Sequence, residues 1–182
     1  MQQLALRCYS ARSMILWLTS STAEAHEVSD YETDTLLWSE RQADLLRRLA
    51  AGEHVNEQVD WENVAEEIDS VGRSQRIALA SHIAVVLEHL MKLEASPAIE
   101  PRRGREETVR RARLDIKRLL EDSPSLRRTV DAAIARQLPD MREFVAVVLE
   151  RYGETPLVAV EGLSYDADAV LGGFFPEVEP KV

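Results

Sequence analysis

The chain has few of the residues that interrupt regular structure: seven glycines and seven prolines in 182 residues. Scarce turn-formers beside plentiful Leu, Ala, Glu and Arg exclude a sandwich of short strands and favour long helices. The single cysteine, Cys8, cannot form an internal disulfide, which suits a reducing cytoplasm. No apolar run approaches the ~20 residues needed to span a bilayer, so a soluble domain with no membrane partner is expected. Basic residues are outnumbered by acids, 22 to 32, and the net charge of −10 opposes general binding to nucleic acid or anionic membranes. There is no Gly-x-Ser-x-Gly elbow and no Gly-rich phosphate loop, so the sequence signals no nucleophile and no cofactor.

What the chain does contain is the helical period. Thr33 or Asp34 can cap a first helix that Gly52 stops, with Trp38, Leu45, Leu46 and Leu49 on one face. Gln42 lies within that face, and a buried amide there needs hydrogen-bond partners. Asp60 is a good N-cap for a second helix, with Asn63 placed to reach back like a capping box. Trp61, Val64, Ala65, Ile68 and Val71 form an apolar arc expected in the core, and Gly72 is expected to end or kink that helix. A third helix, about Ser74 to Glu94, is apolar over half its circumference, including Ile77, and should be central. A fourth spans about Arg105 to Glu121. Ser123-Pro124 starts a fifth, in which Pro139 predicts a kink or break. A short helix over Tyr165 to Leu171 and Phe174-Phe175-Pro176 should pack back on the bundle. Before all this, residues 1–30 read as a poorly ordered extension. Their apolar run, Met14 to Leu18, is shorter than the ~7–15 residues of a secretory leader.

Charge is arranged in blocks. Residues 53–70 carry seven carboxylates and no Lys or Arg, and Glu62, Glu66 and Asp69 share one flank of the second helix. Arg73 extends the row if the helix continues through Gly72. Residues 102–118 hold eight basic side chains against Glu106, Glu107 and Asp115. Electrostatics favours the acidic and basic helices lying together, within one chain or across a homo-oligomer. A nucleic-acid patch over 102–118 is weakened by the Glu106–Arg110 and Glu107–Arg111 pairs and by the lack of interleaved aromatics. His82 and His89 are seven residues apart, about 10 Å along a helix, and cannot share one metal by themselves. A site assembled from Glu62, Glu66 and His89 is the metal-binding or hydrolytic alternative.

Tyr31-Glu32-Thr33-Asp34, Trp38, Gln42, Asp60-Trp61-Glu62-Asn63-Val64-Ala65-Glu66-Glu67-Ile68, Gly72-Arg73-Ser74, Leu87-Glu88-His89-Leu90 and Leu119 to Leu126 resemble the bacterial "domain of unknown function 29" family. The likeness covers roughly Tyr31 to Pro176. It implies a helical fold and a bacterial origin, and it brings no catalytic residue. The stretch Arg105 to Arg113 departs from the aromatic and Glu-Gln-Arg run often found there, and Pro139 interrupts a helix expected to be continuous.

The sequence therefore points to an all-α protein: an irregular bundle of about five main helices around a central apolar one, with residues 31–176 as one domain and 177–182 as a tail. The leading function is a cytoplasmic interaction or regulatory protein with a protein partner or a second copy. The rivals are an enzyme or metal binder and a nucleic-acid binder. The candidate polar site is Gln42, Glu62, Glu66, Arg73 and His89.

Overall fold

The computed structural model describes residues 30–177; the extension, Cys8 and most of the tail lie outside them. Six α-helices and two 3-10 turns, with no strand among the described residues, make the protein all-α. The helices are α1 (Asp30–Thr33), α2 (Thr35–Ala50), α3 (Trp61–Ala95), α4 (Arg102–Asp122), α5 (Val130–Arg151) and α6 (Ala167–Leu171). None is long and apolar enough to cross a membrane. The chain divides into two units, Met1–Val64 and Ala65–Val182.

In the first unit, Asp34 caps α2 by accepting from Leu37 N at 3.0 Å. Gly52 ends it at φ +81°, a conformation glycine adopts without a Cβ penalty. Trp38, Leu45 and Val59 are buried, and Tyr31 meets Trp38 edge to face with centroids 4.8 Å apart.

In the second unit the C-terminal half of α3 is the hub. Leu79, Ile83, Val86, Leu87, Leu90, Met91 and Leu93 are all buried. Around them pack Val109, Ala112, Ile116 and Leu120 of α4, Leu126 of the turn Pro124–Thr129, Val130, Ile134, Val145 and Leu149 of α5, and Val170 of α6. Arginines of α4 fasten the ends. Arg102 donates to Leu93 O (2.9 Å), a carbonyl at the end of α3, and to Pro176 O, and Arg105 adds a second bond at 2.9 Å to Lys92 O, which also accepts from Ser96 N at 3.2 Å. Arg113 reaches Val170 O, Ala169 O and Phe174 O at 2.7–2.9 Å. Its guanidinium and that of Arg110 lie over the Phe175 ring, which fixes the Phe174-Phe175-Pro176 segment against the bundle.

Four expectations are corrected. The second and third helices are one, because α3 runs through Gly72 in helical conformation for 35 residues. A glycine costs a helix only about 1 kcal/mol relative to alanine, too little to outweigh continuous hydrogen bonding. α5 likewise runs through Pro139 without a break. Proline removes the bond to Ala135 O, but both residues are exposed and water can take the bond's place. Ser123-Pro124 begins a 3-10 turn, and the α-helix starts only at Val130. Finally, the apolar arc of α3's first half is not core: Trp61, Ile68 and Val71 are 62–68% exposed, and Ile77 is exposed too.

Candidate functional site

The proposed site residues fall into three places. The first is the start of α3. Asp60 accepts from Asn63 N (3.3 Å) and Asn63 Nδ2 (2.7 Å), and from Trp38 Nε1 at 3.1 Å. These bonds, the Asn63 side chain foremost, hold the Asp60 carboxyl below the usual carboxylate range against a smaller opposing effect of burial. The backbone N–H of Asp60 donates to Gln42 Oε1 at 3.0 Å. Gln42 of α2 thus takes the part in the capping box that the sequence assigned to Asn63. The half-buried amide oxygen has its partner, and its work is to close the start of a helix.

The second place is the flank of α3. Because the helix continues through Gly72, Glu62, Glu66, Asp69 and Arg73 form the anticipated row, and all four are exposed. Among the described residues no ion pair links Glu66 or Asp69 to α4. The acid partners of α4 are its own: Arg102 and Arg110 with Glu106, Arg111 with Glu107, Lys117 with Glu121, and Arg118 with Asp115. Beside the acidic row runs the uncovered apolar face. At 100° per residue, Ile68 lies about 20° from Leu79 around the helix axis and coincides with Val86. The stripe that is core in the second half of α3 therefore extends unburied along the first.

The third place is a cleft of about 640 Å³ in the second unit, and it holds His89. Lys92 accompanies His89 from α3, Gly104, Arg105 and Thr108 come from α4, and Val148 and Leu149 from α5, with Pro101, Tyr152 and Glu154 beside them. His89 Nδ1 is buried and has no hydrogen-bond partner, alone in this respect among the side-chain atoms of the described residues. An unmade bond of this kind costs about 1–3 kcal/mol. Burial is the main force holding the imidazole below its ordinary pKa; Lys92 and Arg105 add to it and Glu88 opposes it. The neighbouring charges are mostly engaged. Lys92 Nζ bonds Glu88 at 2.6 Å and lies 5.4 Å from the centre of the Phe144 ring, and Ser96 donates to Glu154.

His89 and the acidic row do not meet. Glu66 and His89 lie on one helix 23 residues apart, roughly 35 Å at 1.5 Å per residue. Lys92, Arg105, Thr108, Tyr152 and Glu154 were not singled out from sequence. The available signal was the i,i+3 spacing of His89 and Lys92, which puts both side chains on one face.

The chain belongs to the family described as "Domain of unknown function DUF29", which matches it over residues 31–155. No curated protein and no solved structure matches it significantly.

Proposed function

We propose that this is a bacterial interaction protein of the cytoplasm, with residues 31–176 serving as one domain, and that it docks a protein partner along the first half of α3. The observation that carries the reading is the exposure of Ile68 on the helix face that is core eleven residues later at Leu79, with Val71 exposed about 60° to one side of it. An uncovered apolar stripe rimmed by charge is the common form of a helix-recognition surface. Asp69, about 100° around the helix from Ile68, favours a partner whose own apolar stripe is edged by Lys or Arg.

The rivals draw less support. A metal or hydrolytic centre built from Glu62, Glu66 and His89 conflicts with the ~35 Å between Glu66 and His89. For nucleic acid, Arg102, Arg105 and Arg113 are committed to backbone carbonyls, while Arg110, Arg111, Lys117 and Arg118 are paired with acids on their own helix.

The test is affinity capture from the source bacterium with the wild-type chain, Ile68→Glu/Val71→Glu and Asp69→Lys, each confirmed folded by circular dichroism. The reading expects one protein to be captured by the wild type and lost from both variants. Identical capture by all three contradicts it. Dimerisation on sedimentation that the Ile68 variant abolishes would replace the partner with a second copy.

A further inference from the structure

We propose that the groove between α4, the Pro124–Thr129 turn and the segment after α6 binds a small phosphate monoester, its phosphate drawn by Arg113 and Arg127 and its apolar body lying against Leu114 and Phe175. The groove lies within the second unit, apart from the α3 stripe, and does not depend on the reading above.

The groove has a volume of about 710 Å³, the size of a small-molecule site. Its lining carries charge of one sign. Arg110, Arg113, Lys117 and Arg127 line it and none of the lining residues is acidic, in a chain whose net charge is −10. Two of these cations are balanced on their own helix, Arg110 by Glu106 at 3.3 Å and Lys117 by Glu121 at 3.7 Å. The other two are not. Arg127 is exposed and has no hydrogen bond or ion pair among the described residues. Arg113 gives its Nε and Nη2 to three carbonyl oxygens, which occupy those donors without cancelling the charge. Its Nη1 makes no bond within the described protein and is not buried, so it is open to a ligand. Burial holds the Arg113 guanidinium below its ordinary pKa and the like charge of Arg110 adds to this, whereas Glu154 opposes the same effect at Arg105. Two uncompensated guanidiniums are too few for a nucleic-acid backbone and one more than a carboxylate satisfies; they match a phosphate dianion. The wall beside them is apolar. Leu114 is 47% exposed and Leu171 and Phe175 are half-buried, a surface that inorganic phosphate alone would leave wet.

The experiment titrates the full chain and follows it by ¹H–¹⁵N NMR, with the amides of Gly172 and Gly173 reporting on the groove they line. The probes are hexyl phosphate, inorganic phosphate and hexanoate. Hexyl phosphate is expected to move both glycine signals saturably. Inorganic phosphate lacks the apolar body and hexanoate the second charge, so each should bind at least about tenfold more weakly. Arg127→Gln removes a charge that makes no structural bond, and Leu114→Glu places an acid on the wall. Both positions are exposed, so both variants should keep the wild-type spectrum elsewhere and weaken hexyl phosphate at least about tenfold. Arg128→Gln changes the next residue, which is exposed and does not line the groove, and should leave the affinity unchanged. No saturable shift of Gly172 and Gly173 at millimolar hexyl phosphate overturns the proposal, as does equal binding of hexanoate or of inorganic phosphate. An equal loss from Arg128→Gln would show diffuse attraction of anions in place of a site, and overturns it too.

Discussion

Asp60 joins the end of a loop to the start of the longest helix, and each of its polar groups has a specific partner. The carboxylate accepts from Trp38 and Asn63 while its own N–H reaches Gln42. Asp60→Ala removes the cap and leaves the Trp38 indole without an acceptor. Chemical denaturation at pH 7 should show a loss of about 0.5–2 kcal/mol, the usual value of an N-cap. Because its folded pKa is depressed, the contribution of Asp60 is present above the unfolded value of ~3.9 and is lost as pH falls through the folded value. The Asp60→Ala deficit should therefore shrink in strong acid. His89 titrates the other way round. Its folded pKa lies below the ordinary value, so the unfolded chain takes up the proton first. Stability is intact above about pH 6.5 and declines as pH falls from there towards the folded pKa. In urea titrations at pH 7.5 and 5.5, His89→Phe should show a smaller acid loss than the wild type, and equal losses would contradict a buried neutral imidazole.

Among the elements, α3 shows what a period can and cannot reveal. The apolar face from Leu79 to Leu93 marked the central helix, and it is the hub of the second unit. The same period over Trp61 to Val71 looked like core and is exposed. Amphipathicity states which residues share a side of a rod; what covers that side depends on elements distant in sequence. Gly72 and Pro139 misled for a related reason. Each carries a local cost that a long helix absorbs, and Gly72 has no positive φ or close neighbour that requires glycine, an added Cβ meeting only Arg76 Nη1 at 3.5 Å. Gly72→Ala should accordingly raise stability by about 0.5–1 kcal/mol in a denaturation midpoint. A loss would mean that the helix bends there in solution.

At the level of the whole molecule, the basic segment was legible as charge but not as structure. Eight cations in residues 102–118 suggested a surface for a polyanion or for the acidic helix, whereas Arg102, Arg105 and Arg113 hold the end of α3 and the C-terminal segment by carbonyl contacts. Guanidinium groups serve backbone oxygens and carboxylates equally well, so composition alone does not separate the two uses. The His89 cleft was hidden for a similar reason, since beyond His89 and Lys92 it gathers side chains from three further segments, residues 101 to 154, that no single helical period links. The account as a whole depends on α3 extending its apolar stripe beyond the body that buries it. The direct measurement is the urea unfolding free energy of Ile68→Ala set against Ile83→Ala, the same change on one helix. The structure predicts a change within about 0.5 kcal/mol for Ile68 and a loss of about 2–5 kcal/mol for Ile83. Losses of equal size at both positions would show that Ile68 is buried in the free protein, and the surface proposed for a partner would not exist.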